Sequence, residues 1–288
     1  MKKTRKKILI LGLIIVAVLL VAWIKRDNER IVVSTFTVES ERVPETFDGY
    51  RIVQVSDLHN DEFGEGNERL LALIREAEPD MIAITGDFLD SRRTDAEKAM
   101  DFVECAMEIA PCYYVTGNHE ARTKEYAQLE KDMLETGVTI LRDEAISLEK
   151  DGEQIVVAGL DDPRFHIKTD SFEKTKGVMK NELARLMKDV DTDKFLLLLS
   201  HRPELFEIYC EYEADLVLAG HIHGGQFRLP GVGGLIGPTQ LFFPEYDAGL
   251  FIGGNTQMIV SRGLGQSIVP FRINNPPELV LVILEAKS

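Results

Sequence analysis

Five apolar segments of this chain each run straight into a polar cluster, and no other feature restricts its fold as strongly. Arg51–Val55 leads to Asp57-Leu58-His59, and Met81–Thr85 leads to Gly86-Asp87. Tyr113–Thr116 leads to Gly117-Asn118-His119-Glu120. Phe195–Leu199 leads to Ser200-His201, and Leu216–Ala219 leads to Gly220-His221-Ile222-His223. Short apolar runs bounded by glycine and polar residues read as buried strands. The stretches between several of them have helical periodicity: Glu68–Ala77, Asp95–Ile109, Tyr126–Glu135 and Lys176–Lys188, with a short helix at Pro203–Tyr209. Further strands are expected at Arg30–Val38, Ala145–Glu149, Ile155–Leu160, Met258–Ser261 and Leu279–Leu284. The alternation implies an α/β fold with extra β pairing late in the chain. In such sheets ligand sites gather beyond the carboxyl ends of strands, so five ends side by side would bring the polar clusters together. Glycines 86, 117 and 220 are expected to turn the backbone so that the next side chain enters the site.

Histidine usage sharpens this expectation. The chain has six histidines, and five of them (His59, His119, His201, His221, His223) fall in these clusters. A single histidine is ordinarily a surface or satisfied core residue, but five at successive strand ends, mixed with Asp and Asn, read as metal ligands. His166 lies in a loop and has no assigned role.

The set DxH, GDxxD, GNHE and GHxH resembles the calcineurin-like metallophosphoesterase family over everything from about residue 50 onward. It is similar to the membrane-anchored bacterial branch with YkuE-like and UDP-2,3-diacylglucosamine hydrolase-like members. Ser261-Arg262-Gly263-Leu264-Gly265, Pro270 and Pro276-Pro277-Glu278 fit that branch. The resemblance implies a four-layer α/β/β/α sandwich and two divalent metal ions. Asp57, His59, Asp87 and His223 would hold one ion. Asp87, Asn118, His201 and His221 would hold the other, with Asp87 shared. A shared carboxylate offsets the repulsion of two close cations, and neutral imidazoles and an amide oxygen complete the shells. Water held between the ions would then be the nucleophile. His119 would protonate the leaving oxygen, and Asp90 would orient and charge it; an ordinary helix cap is the plain alternative for Asp90. Glu120 is read as a loop support. Arg262 is open between a phosphate clamp and a structural salt bridge. The nitrogen and oxygen ligands suit manganese, iron or zinc. Family habit favours manganese.

Residues 1–30 are expected to be a cytoplasmic tip and transmembrane anchor, and 31–288 one metallophosphoesterase domain. Ile8–Ile24 is an apolar run without charge, preceded by five cations and followed by Lys25-Arg26. Its length is at the short end of what spans a bilayer, and Trp23 stands where an interfacial aromatic belongs. The cation excess before the run puts the N-terminus inside and the catalytic domain outside the cell membrane. A cleaved signal peptide is the competing reading, though Leu20-Val21-Ala22 is a poor cleavage site. Outside the first thirty residues, 25 basic residues face 46 acidic ones, a net charge of −21. That balance excludes general nucleic-acid binding and leaves metal ions to supply positive charge for a phosphate. Cys105, Cys112 and Cys210 form no CxxC pair. Cys105 and Cys112 could pair, while small buried residues are the simpler account.

The function expected is phosphodiester or pyrophosphate hydrolysis on a phosphorylated small-molecule, lipid or cell-envelope substrate. Residues 224–254 are rich in Gly, Pro and apolar side chains. These suit either a lipid-binding wall or packed core turns. Two other classes compete: a binding module on the same fold that has lost catalysis, and a phosphomonoesterase or protein phosphatase. The first would lack His119 or a ligand. The second would carry Arg-Gly where this chain has Ser91-Arg92-Arg93.

Overall fold

A computed structural model describes residues 2–169, 171–188, 190–238, 242–266 and 269–287. In chain order the helices are α1 (Lys2–Glu29), α2 (Glu68–Glu76), α3 (Ala96–Met107), α4 (Tyr126–Glu135), α5 (Pro163–His166), α6 (Phe172–Leu186) and α7 (Phe206–Glu211). The strands are β1 (Val32–Ser40), β2 (Arg51–Val55), β3 (Met81–Thr85), β4 (Cys112–Val115), β5 (Thr139–Ile140), β6 (Glu144–Lys150) and β7 (Glu153–Gly159). They continue with β8 (Leu196–Leu199), β9 (Leu216–Ala219), β10 (Arg228–Leu229), β11 (Gly233–Gly234), β12 (Gly249–Gly253), β13 (Thr256–Val260) and β14 (Glu278–Ala286).

Among the described residues these strands form two six-stranded sheets, β1-β14-β2-β3-β4-β5 and β12-β13-β9-β8-β7-β6, besides the small β10-β11 pair. Three buried clusters define the layers. Val55, Ile82, Ile84, Leu70 and Phe102 pack the first sheet against α2, α3 and α4. Ile52, Ala83, Val115, Leu197, Leu216 and Ile259 pack sheet on sheet. Ala158, Leu198, Val217, Leu183 and Phe206 pack the second sheet against α6 and α7. The result is the α/β/β/α sandwich. The inner strands β2, β3, β4, β8 and β9 are covered on both faces, which is why they are apolar runs without polar alternation, whereas the edge strands β1, β6 and β12 are partly exposed.

The structure departs from the sequence reading in one respect that matters for the site. The five strand ends do not lie in one sheet. β2, β3 and β4 are parallel neighbours in the first sheet, and β8 and β9 are parallel neighbours in the second. The polar clusters meet because the two sheets pack with these ends at the same edge. β14 was also unforeseen as a central strand: it pairs parallel with β1 and antiparallel with β2. Such long-range pairing leaves no local trace in the sequence. All three cysteines are free thiols. Leu241, one of the apolar residues in 224–254, lies outside the described residues.

Leu197 is fully buried between the sheets. Leu197→Ala should cost about 2–5 kcal/mol and lower the melting temperature by at least about 4 °C, whereas Ile252→Ala, on the exposed face of β12, should shift it by less than about 2 °C. Thermal unfolding of the two variants beside the parent chain checks this.

Candidate metal centre

Each cluster is aimed by the loop that follows its strand. Asp57, His59, Asp87, His221 and His223 all have positive φ, between 48° and 70°. Asp and His tolerate this left-handed region better than bulky or β-branched residues do. Gly86 (φ +84°) shares it, as expected. Gly117 and Gly220 do not, and their need for hydrogen as side chain is one of space. A Cβ at Gly220 would lie 2.0 Å from Ser56 Oγ and 2.4 Å from Asp57 Oδ2. At Gly117 it would lie 2.3 Å from Asp87 Oδ1.

Seven side chains converge around two overlapping groups. Asp57, His59 and His223 form the first: His59 Nε2 is 3.0 Å from His223 Nε2, and His223 Nε2 is 3.4 Å from Asp57 Oδ1. Asp87, His201 and His221 form the second: His201 Nε2 is 3.2 Å from both Asp87 Oδ2 and His221 Nδ1. Asp87 Oδ2 also stands 3.8 Å from His59 Nε2, so this carboxylate lies between the groups. Asn118 is buried at the same mouth, and its Oδ1 accepts no hydrogen bond among the described residues. An amide oxygen left unsatisfied at the edge of a cluster of imidazoles and carboxylates is what a hard divalent cation would use. The donor set fits two such ions.

The supporting contacts fix ring orientation. His201 Nδ1–H donates to the Thr85 carbonyl at 2.8 Å, which leaves Nε2 for the site. The backbone N–H of His119 donates to Asp87 Oδ1 at 2.7 Å, and that of His221 donates to both oxygens of Asp57. Burial holds His59, His221 and His223 well below the usual imidazole range, as neutral rings. Burial raises Asp57 to about 6. Burial opposes protonation of His201 too, but Asp87 and Asp57 outweigh it and raise this ring to about 10. The pocket thus attracts positive charge.

Glu120 shows how the loops are tied together. It is 1% exposed and accepts the backbone N–H groups of Asp87 (2.9 Å), Leu89 (2.9 Å) and Gly117 (2.7 Å). It is therefore the clamp between the loops after β3 and β4. His119 lies at 4.5 Å ring distance from His59. Its Nδ1 accepts the Ser91 N–H at 3.0 Å, so the neutral ring carries its proton on Nε2. Asp90 Oδ1 is 3.8 Å from that Nδ1, beyond hydrogen-bond reach, and the carboxylate accepts the Arg92 N–H and an Arg93 guanidinium N–H instead. Arg262 is engaged by Glu278 through both its backbone N–H and its guanidinium, each at 2.8 Å. His166 pairs with Asp143 at 3.0 Å, away from the centre.

Two arginines escaped the sequence reading. Arg202 bonds Asp162 and places Nη1 2.7 Å from His221 Nε2. Arg272, fully buried, places Nη2 3.2 Å from His223 Nδ1 and donates to the Arg262 and Gly265 carbonyls. Arg202 directly follows His201, which was an available signal. Arg272 has no local motif.

Comparison with known proteins decides the family. Residues 50–225 match the calcineurin-like phosphoesterases. The chain belongs to that family. It is 31% identical over 260 residues to the uncharacterized metallophosphoesterase YkuE of Bacillus subtilis, covering 88% of this chain and 85% of the relative. It is 27% identical over 240 residues to the phosphodiesterase YaeI of Escherichia coli, covering 82% of each. The solved structure of TT1561 from Thermus thermophilus shares the fold, with a TM-score of 0.51 and 16% identity over 75% of this chain and 90% of that one. The chain is a metal-dependent phosphoric ester hydrolase, and family and side-chain clusters together point to two divalent ions.

Asp87→Ala should reduce bound metal below one ion per chain, read by elemental analysis after gel filtration. Glu120→Ala strips an acceptor from three buried N–H groups and should destabilise the protein by about 3 kcal/mol or more, read from denaturant unfolding.

Proposed function

We propose that this protein is a membrane-anchored dinuclear-metal phosphohydrolase that cleaves a phosphodiester or pyrophosphate of a lipid or cell-envelope substrate. The observation that carries this reading is a cavity of about 740 Å³ that opens on the metal centre. Asp87, Asn118, His119, His221 and His223 form its floor. Arg92, Arg122, Arg164 and Arg202 supply positive charge along its wall, and Ile167, Phe172, Phe227 and Ile236 supply apolar surface. A substrate with both an anionic and an apolar part matches that lining. The diester preference is supported by the relative named a phosphodiesterase.

In this reading Asp57, His59, Asp87 and His223 hold one ion, and Asp87, Asn118, His201 and His221 hold the other. When bound, the ions supply Lewis acidity and an activated water. The chain's own residues do the rest. The arginines orient the phosphoryl group. His119 acts from its imidazolium form, which the negative charge of Asp90 and of a bound phosphate favours: it hands its Nε2 proton to the leaving oxygen and returns to the neutral ring. Asp90 acts at longer range, by adding negative charge near that imidazole and by pinning the loop that carries Ser91. Manganese is the proposed metal. α1 is long and apolar enough to cross a membrane, with its apolar face unburied by the rest of the chain. The basic N-terminal tip then lies in the cytoplasm, and the domain from residue 31 lies outside.

Full-length protein in detergent, stripped of metal and resupplied with manganese, zinc or iron, should regain hydrolysis of a diester or lipid pyrophosphate above that of a monoester. Recovery of none of these activities would overturn the enzyme reading. His119→Ala should keep both ions and lose about 10²–10⁴-fold in kcat; loss of metal as in Asp87→Ala would contradict its role as acid. Protease added to intact cells should digest the domain, and full protection would refute the outward orientation.

A further inference from the structure

The end of the apolar helix is bolted to the catalytic domain through Asn28, beside a bond from Arg69 to the Glu29 carbonyl. Asn28 Nδ2 donates to the Arg272 carbonyl at 2.8 Å, and Asn28 Oδ1 accepts the Arg272 N–H at 2.6 Å. Gln266 Nε2 donates to the same Oδ1 at 3.0 Å. Asn28 lies four residues past Ile24, the last of the apolar run, which is about 6 Å of helix rise. That is the depth of the headgroup layer on one side of a bilayer. If α1 crosses a membrane, the Arg272 backbone and the exposed Phe271 beside it therefore stand near the lipid surface.

From Phe271 a continuous package of loops extends. Its ring packs on Phe227 with centroids 5.6 Å apart, and its carbonyl accepts from Gln226 Nε2. Leu235 N–H donates to the Phe227 carbonyl, and Phe243 N–H donates to the Leu235 carbonyl, both at 2.9 Å. The outer side of this package is unusually apolar. Phe242 is 70% exposed, Phe243 61% and Val232 59%, beside Leu229 and Phe271. Its inner side is cavity wall, because Phe227, Ile236 and Val269 line the space above His119, His221 and His223. Exposed clusters of large apolar side chains mark an interaction surface. Continuity with α1 selects the occupant, since the helix places this surface beside the bilayer.

We propose that Phe242, Phe243, Val232 and Phe271 form a second membrane contact, a rim that dips into the leaflet where α1 ends. The rim turns the catalytic cavity toward the lipid surface, so that a phosphorylated lipid reaches the metals with its apolar chain still against the membrane. This rests on the membrane-anchored reading given above and adds the surface and direction of substrate entry.

Trp23 is the single tryptophan, which permits a clean test. In a Trp23→Phe background, Phe243→Trp and, as an independent second site, Phe242→Trp are each introduced in the full chain. The variants are reconstituted in phosphatidylcholine and phosphatidylglycerol vesicles carrying phosphatidylcholine brominated in its acyl chains. Rim tryptophan fluorescence should fall at least two-fold, as Trp23 of the parent chain should. Leu134→Trp, on the exposed surface of α4, should be unaffected. Absence of quenching at both rim positions while Trp23 is quenched overturns the rim, and so does equal quenching at position 134. An unquenched Trp23 overturns anchor and rim together. The readout needs no turnover, so a failure of the hydrolase reading and a failure of the rim are seen separately.

Discussion

The whole site depends on hydrogen bonds that join the two sheets at one edge. Gln54, fully buried on β2, donates through Nε2 to Thr85 Oγ1 on β3 and to the Ala219 carbonyl on β9, each at 2.9 Å. His201, after β8, donates to the Thr85 carbonyl in the opposite sheet. His221, after β9, donates its N–H to Asp57, after β2. Apolar packing between sheets is non-directional and would tolerate sliding. Buried hydrogen bonds would not, because each slip would strand a donor or acceptor. They set the relative position of the two halves of the metal centre.

The same geometry creates an electrostatic imbalance that defines the chemistry. Asp57, Asp87 and Glu120 are all buried around the centre, and three nearby imidazoles are held neutral by desolvation. Glu120 is compensated by three backbone N–H groups, and burial raises its carboxyl to about 7. Among the described residues, the ion-pair partners of Asp57 and Asp87 are histidines, with neither lysine nor arginine in contact. Arg202 and Arg272 approach only the outer nitrogens of His221 and His223. A protonated His201 ring offsets only part of this negative charge; divalent ions would take the place of its proton, and they fit both the donor types and the spacing.

Much of this was legible in the sequence because the strand ends announce themselves. An apolar run followed by Gly-Asp, Gly-Asn-His or Gly-His-x-His combines local propensity with unusual chemistry, and β2, β3, β4, β8 and β9 were found within a residue or two. Three things were not legible. The distribution of the five ends over two sheets depends on non-local pairing. The entry of β14 beside β2 requires knowing that two segments more than 200 residues apart are neighbours. Arg272 gained its place through packing of the C-terminal loops, and nothing in Pro270-Phe271-Arg272 signals a contact with His223. Glycines 117 and 220 were singled out for the wrong property: crowding by Asp87, Ser56 and Asp57 excludes a side chain there, with no positive φ involved.

The left-handed backbone at Asp57, His59, Asp87, His221 and His223 has a consequence for anyone who would rebuild the centre. Ligand exchange in a metalloprotein is usually planned by donor atom alone. Here five positions also select for backbone tolerance, so the usable alphabet at each shrinks to Asp, Asn, His and Gly, with β-branched residues strained by about 1–3 kcal/mol before any metal is considered. A combinatorial library that ignored this would fill with poorly folded members. One confined to that alphabet would sample new metal preferences on an intact scaffold.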